Sequence, residues 1–186
     1  ATFIENPESK SYPLARAKAL LAYGWLLQWV GQLAIGRSVG QECLELYRIW
    51  GDPLGEADAL ALLAWIFNDA HLEISAQGLS TWTWDAAKGM EFARQALSLA
   101  RRLGDRGRQA RILGIMGWVS NDKVGRKSHL RDAVILLRGV GDLRWLGKYL
   151  HDLAQQEVLS GNFESAQECL REAVSVNQTL NSKSLL

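Results

Sequence analysis

The side chains that most often carry catalysis or bind metal ions are few in this sequence and widely separated. The histidines are His71, His129 and His151, and no two of them have the spacing of a zinc-binding helix motif. The cysteines, Cys43 and Cys169, lie too far apart in sequence to form a paired metal or redox motif. The sequence also lacks a nucleophile elbow and a phosphate-binding glycine loop. We therefore expect no enzyme, no metal and no cofactor.

Charge is the second candidate source of chemistry, because the cations are concentrated in the middle of the chain. Residues 94–148 hold 13 Lys and Arg against 4 Asp and Glu, whereas the segments on both sides are net acidic. The densest part of this basic segment consists of Arg101, Arg102, Arg106, Arg108 and Arg111. Such a segment could bind nucleic acid or another phosphate ligand. A solvated helix surface is the favoured interpretation, because the charges form no continuous run.

The strongest pattern is a recurring glycine–aspartate pair that predicts where helices end and begin. It occurs at residues 51–52, 104–105 and 141–142, each time after a branched or aromatic residue. A glycine readily adopts the left-handed conformation that ends a helix, and Asn181 is expected to replace it in a fourth copy. The aspartate then caps the next helix, and Pro53 suits the first helical turn.

Small residues recur at fixed distances from these glycines, which predicts two helices in each repeat. The position eight residues before the boundary is small in every repeat: Cys43, Ala96, Ala133 and Ala173. The corresponding position in the first helix of each repeat is also small: Gly24, Ala64, Gly117 and Ala154. The apolar residues between them follow the helical period of 3.6, and no convincing strand is found, since the alternating run 80–84 is short and isolated.

These two helix patterns resemble the tetratricopeptide consensus. The residues that carry the resemblance are Leu20, Tyr23, Gly24 and Leu27 in a first helix, with Ala166, Leu170 and Ala173 in a second. The longer repeat, with "LARRLGDRG" at its end, is similar to the helical repeats of large bacterial LuxR-type regulators and nucleotide-switch ATPases. The resemblance implies an all-α solenoid of about four antiparallel helical hairpins, eight helices in all, forming a right-handed superhelix.

The expected organisation has a lead-in at residues 1–13 and a repeat domain at residues 14–181. The repeats are predicted at 14–51, 52–104, 105–141 and 142–181, and residues 182–186 form a tail or begin a further repeat. The second repeat holds an insertion at about 70–85 with two aromatic residues, Trp82 and Trp84. This insertion is either a second contact region or a loop that packs on itself.

In tetratricopeptide stacks the first helices line a concave groove, so the resemblance implies a set of ligand-binding residues. A tryptophan column consists of Trp25, Trp65 and Trp118, and a carboxamide column consists of Gln28, Asn68 and Asn121. The cations on the same side are Lys18, Arg111 and Lys148, with His151 nearby. Carboxamides pair with a peptide backbone, tryptophans supply contact area, and cations hold a carboxylate or phosphate. The alternative is that the tryptophans are core residues.

Three functions follow from these patterns. The first is a protein- or peptide-binding module in a larger bacterial transcriptional regulator or signalling ATPase. The alternatives are a solenoid that binds nucleic acid through residues 94–148 and a structural self-association spacer. No signal peptide or membrane span is found and the cysteines show no disulfide framework, so we expect a cytoplasmic location without membrane partners. The chain begins at Ala1, which favours a piece of a longer protein.

Overall fold

The computed structural model describes residues 11–68, 71–74, 80–83 and 85–183, with side chains for 11–68 and 85–181. Its helices are α1 (Pro13–Trp29), α2 (Leu33–Ile49), α3 (Pro53–Asn68), α4 (Ala86–Arg102), α5 (Arg106–Val119), α6 (Lys123–Val140), α7 (Leu143–Leu159) and α8 (Phe163–Lys183). Two short strands, β1 (His71–Ile74) and β2 (Ser80–Thr83), lie between α3 and α4. The all-α fold class is confirmed.

The strands are a local departure from the sequence prediction, which contained none. They pair antiparallel, with His71 opposite Thr83 and Ile74 opposite Ser80. The alternating run at residues 80–84 is short and distant from other strand-like segments in the sequence, but residues 71–74 of the same insertion pair with it. The side chain of Trp82 and the whole of Trp84 lie outside the described residues.

The chain divides into two compact units, residues 1–99 and 100–186, with α4 crossing the division. Unit 1 contains α1, α2, α3, the hairpin and most of α4. Small residues permit close packing there, because a Cβ on Gly24 would stand 2.5 Å from Leu62 Cδ2. Phe67 on α3 meets Phe92 on α4 with ring centroids 5.4 Å apart. These contacts require the small and large residues to stay in register along each helix.

Unit 2 contains the end of α4 and all of α5, α6, α7 and α8. Gly117 on α5 lies against Leu130 on α6, and a Cβ at residue 117 would stand 2.8 Å from Leu130 Cγ. The small positions predicted for the second helices of this unit, Ala133 and Ala173, are both buried. The predicted register of small residues therefore holds in unit 2 as it does in unit 1.

The helix boundaries show the predicted glycine–aspartate chemistry. Gly51, Gly104 and Gly141 have positive φ angles of 65°, 69° and 77°. The aspartate carboxylates accept backbone N–H groups of the next helix, as Asp105 does from Arg108 at 2.8 Å. Two more glycines with positive φ, Gly31 and Gly161, lie in the turns between α1 and α2 and between α7 and α8.

The prediction for Asn181 was wrong, because this residue lies inside α8, which runs to Lys183. Every described residue with positive φ is a glycine. Asn carries a Cβ that makes the left-handed conformation unfavourable, and continuing the helix keeps its backbone hydrogen bonds.

Candidate functional site in unit 2

Four residues on the two first helices of unit 2 form a partly exposed polar cluster, which we call the α5/α7 surface. Trp118 lies on α5, and Lys148, His151 and Asp152 lie on α7. Arg111 also lies on α5, where it is half-buried. The indole Nε1–H of Trp118 donates to Oδ2 of Asp152 at 3.0 Å. The ammonium of Lys148 donates to the same oxygen at 2.9 Å. One carboxylate oxygen therefore joins the two helices and fixes both donors.

The charged and aromatic groups of this surface also contact one another. Lys148 Nζ lies 5.3 Å from the centroid of the Trp118 ring, a cation–π distance. It lies at the same distance, 5.3 Å, from the centroid of the Tyr149 ring. The Nδ1 atom of His151 is 3.6 Å from Oδ1 of Asp152, and the imidazole is largely exposed. Three predicted ligand residues, Trp118, Lys148 and His151, are thus brought together around Asp152.

Tyr149 supports the surface from below. Its ring is fully buried, and its hydroxyl donates to the backbone carbonyl of Arg111 at 3.0 Å. Burial, reinforced by the nearby carboxylate of Asp152, raises the pKa of Tyr149 far above its usual value. The phenol therefore stays protonated and keeps its hydrogen bond to α5. This hydrogen bond fixes the distance between the backbone of α5 and helix α7 at this point.

The residues of the α5/α7 surface differ in their solvent exposure. Trp118 is 36% exposed, so part of the indole is available to a ligand, whereas Asp152 is only 5% exposed. A buried carboxylate requires compensation by hydrogen bonds or a counter-charge, and here Trp118 and Lys148 provide both. The arrangement offers a ligand an aromatic face beside a fixed ammonium.

Asn121 does not share the helix that carries Trp118. Helix α5 ends at Val119, and Asn121 lies exposed in the turn that leads to α6. The turn is fixed by Asp122, whose carboxylate accepts the backbone N–H groups of Val124 and Gly125. The third residue of the predicted carboxamide column therefore lies in a turn rather than on a helix, because the next residue, Asp122, is the N-cap of α6.

In unit 1 the predicted residues lie on α1 and α3. Lys18 is exposed, whereas Trp25, Gln28, Trp65 and Asn68 are half-buried. Trp25 packs against an apolar cluster, which consists of Leu33, Leu62 and Ile66. This contact favours the core interpretation for Trp25. Since Trp118 belongs to unit 2, the predicted tryptophan column is divided between the two units.

The basic middle segment is extensively paired within unit 2. Arg108 donates to the carboxylate of Asp105 at 2.5 Å, and Arg138 donates to that of Glu172 at 2.5 Å. Arg131 and Lys127 both contact Glu157, a fully buried carboxylate on α7. Hydrogen bonds to Lys127, Asn162 and Arg131 outweigh the effect of burial and lower the pKa of Glu157. Four cations of the basic segment are therefore held in intramolecular ion pairs in this part of unit 2.

The buried thiol of Cys43 lacks the features of a reactive cysteine. Burial, followed by the nearby charges of Asp58 and Glu42, raises the pKa of Cys43 to about 12, and its thiol donates to the carbonyl of Ala17. Among the described residues, no group of three or more His, Cys, Asp or Glu could hold a metal ion. Among the helices that the structure describes, none combines the length and the hydrophobicity of a membrane span.

The sequence prediction missed the central residue of the surface, Asp152. A signal was present, because the same repeat position holds Ala22, Leu62 and Ile115 in the other three repeats. An acidic residue at a position that is otherwise apolar departs from the rule that the rest of the repeat follows. Asp152 does not lie at one of the groove positions that the tetratricopeptide resemblance implies.

Two solved structures are similar to this chain over nearly its whole length. One is BtubC (BKLC) from P. vanneervenii, with a TM-score of 0.68 and 16% identity over 91% of this chain. The other is the apo form of RapI, with a TM-score of 0.70 and 13% identity over 90% of this chain. The chain covers 66% of the BtubC chain and 57% of the RapI chain. At these identities the likeness shows the fold alone, a helical repeat fold of the tetratricopeptide-like kind.

No protein-family model matches the chain, and no curated protein matches it in sequence. The similarity to LuxR-type regulators and nucleotide-switch ATPases stays a prediction.

Proposed function

We propose that this chain is a protein-binding module that holds a peptide segment of its partner on the α5/α7 surface. The observation that carries the proposal is the link from Trp118 through Asp152 to Lys148, with donor distances of 3.0 and 2.9 Å. An indole that is held by its N–H presents a rigid contact area at little entropic cost when a ligand binds. Half-buried Trp65 and Asn68 form a separate candidate contact region within unit 1.

The test is selection of binding peptides from a displayed random library on the full 186-residue chain, followed by calorimetric titration of the selected peptides. Trp118→Ala should weaken binding by at least about tenfold, as expected for loss of an aromatic anchor. The matched control is Trp29→Ala, because Trp29 is 80% exposed and lies in unit 1. Equal affinity of wild type and Trp118→Ala, with both folded, would remove this surface from the ligand site.

A second experiment examines the predicted contacts in unit 1. The double substitution of Trp65 and Asn68 by Ala should weaken peptide binding while leaving the helical circular dichroism nearly unchanged. If the variant instead unfolds several degrees or more below wild type, Trp65 serves the core, as burial of an aromatic residue would require.

We further propose that the chain is the interaction region of a larger bacterial regulator. The support is the repeat resemblance together with the coverage of 66% and 57% of the two similar structures. Sequencing the complete reading frame tests this proposal directly. A DNA-binding or ATPase domain in the same frame would support it, and a frame that contains only further repeats would count against it.

A further inference from the structure

We infer that Asp152 sets the charge preference of the α5/α7 surface, so that this surface takes a neutral, apolar stretch of peptide rather than a carboxylate or phosphate. The inference rests on the proposed function, because it names the kind of ligand that the same site would bind. It differs from the sequence-based expectation, in which Lys148 and Arg111 hold an anion.

The first argument is the charge of the cluster. Lys148 lies beside the partly exposed indole, with its Nζ atom 5.3 Å from the ring centroid, and its ammonium is bound to Asp152 at 2.9 Å. The two charges cancel, so an incoming carboxylate would have to compete with a carboxylate that is already in place.

The second argument is the position of Asp152 in the repeat. The equivalent residues are Ala22, Leu62 and Ile115, and the latter two are buried core residues. An apolar residue would therefore satisfy the fold at this position. A buried acid is usually less favourable than an apolar residue of similar size, so its presence indicates a role in the surface above it.

The third argument is geometric. Oδ2 of Asp152 accepts from both Trp118 and Lys148, so the acid fixes the indole and the ammonium relative to each other. Asp152 is thus a positioning residue, and Trp118 and Lys148 make the contact with the ligand. The indole face suits an apolar side chain, and the compensated ammonium suits a neutral acceptor such as a backbone carbonyl.

The test separates positioning from charge by two substitutions. Asp152→Asn keeps an oxygen that can accept from the indole but removes the negative charge. Asp152→Leu removes both and places at residue 152 the residue type found at Leu62. The indole N–H resonance of Trp118, assigned by its loss in Trp118→Phe, should stay near its wild-type position in Asp152→Asn and move upfield in Asp152→Leu. An unchanged resonance in folded Asp152→Leu would overturn the positioning role.

Charge preference is measured with two probes, inorganic phosphate and one selected peptide in carboxamide and free-carboxylate forms. Wild type should bind the carboxamide form at least as tightly as the acid form, and phosphate should not move the Trp118 resonance. In Asp152→Asn the affinity ratio should shift toward the acid form by about threefold to tenfold, and phosphate should become a ligand. Asp132→Asn is the control, because it removes the same charge from an exposed position on α6.

The outcomes distinguish the two proposals. An unchanged ratio in Asp152→Asn, or phosphate binding to wild type, overturns the charge preference while peptide binding stands. If no peptide is selected, the proposed function fails for this surface, and the phosphate titration alone still decides what Asp152 does to anion binding.

Discussion

Gly114 on α5 lies directly against the buried ring of Tyr149 on α7. A Cβ added to residue 114 would stand 2.0 Å from Cζ of that ring, far inside any possible contact distance. The tyrosine has no free direction in which to move, because it is fully buried and its hydroxyl is bonded to the carbonyl of Arg111. We therefore predict that Gly114→Ala lowers the free energy of unfolding by about 1–3 kcal/mol, despite the better helix propensity of Ala.

Urea denaturation of Gly114→Ala and of a control variant, Gly139→Ala, is compared with that of wild type to check this prediction. Gly139 is an exposed glycine in α6, and a Cβ there would approach only Arg106 Nη2, at 3.7 Å. This control should be neutral or stabilising by up to about 1 kcal/mol. Equal stability changes in the two variants would mean that the α5–α7 contact is looser than the structure shows.

The features that could be predicted from sequence are those that depend on neighbouring residues along the chain. A helix end needs a residue that tolerates positive φ, and the next helix needs a capping acceptor. Gly141 supplies the positive φ and Asp142 supplies the capping acceptor, and the two residues are adjacent in the sequence. The register of small residues could be read in the same way, because each such residue lies a fixed number of positions from the glycine.

The features that were missed depend on residues that are distant in sequence. Trp118 and Asp152 are 34 residues apart, and only the packing of α5 on α7 brings them together. The pairing of the two strands in the insertion could not be predicted either, because such short segments do not specify their register. The repeat positions predict Trp118 and Lys148 as ligand-binding residues. They do not predict that a buried acid, Asp152, fixes both side chains.

The left-handed glycine at the end of α4 gives a second prediction. Gly104 has a φ angle of 69°, and no atom lies within 4 Å of a Cβ added there. The effect of a substitution is therefore conformational rather than steric. Gly104→Val should lower the unfolding free energy by about 1–2 kcal/mol, whereas Gly104→Asn should lower it by less, since Asn tolerates this conformation better. Thermal unfolding of the two variants measures the difference, and equal losses would contradict the conformational explanation.

The buried acid Glu157 gives a prediction about pH. Its carboxylate is bonded to Arg131 at 2.6 Å and to Asn162 at 2.8 Å, and it also pairs with Lys127. The pKa of Glu157 in the folded chain lies below its usual 4.5, so the unfolded chain binds this proton more tightly. The stabilisation is therefore complete above the usual pKa and is lost as pH falls through the lower, folded value.

Glu157→Gln isolates this contribution. At neutral pH it should lower the unfolding free energy by about 1–3 kcal/mol, because two cations and an amide lose a charged acceptor. The gap in unfolding free energy between wild type and variant should narrow as pH falls from neutral to below 4.5. Urea denaturation across that range measures it, with Glu168→Gln as a control at an exposed position on α8. A gap that stays constant from neutral to acidic pH would contradict the proposed ionic role.

The last prediction concerns the basic segment and the nucleic-acid alternative. Several of its cations are held by internal acceptors: Arg108 by Asp105, Arg126 by the carbonyl of Ser120, Lys127 and Arg131 by Glu157, Arg138 by Glu172 and Lys148 by Asp152. A cation in an ion pair must give up its carboxylate before it can neutralise a phosphate, so Arg108, Lys127, Arg131, Arg138 and Lys148 contribute little to nucleic-acid binding.

We therefore expect weak binding of single-stranded oligonucleotides, with a salt dependence that corresponds to no more than about three phosphate contacts. Fluorescence anisotropy of a labelled oligonucleotide, titrated at several salt concentrations, gives that slope. The informative variant replaces the exposed residues Arg101, Arg102 and Arg106 with Gln. A steep slope in wild type that this variant abolishes would establish a phosphate-binding surface on unit 2. A shallow slope in both proteins leaves the α5/α7 surface as the favoured ligand site, because its indole and compensated ammonium suit a neutral peptide rather than a polyanion.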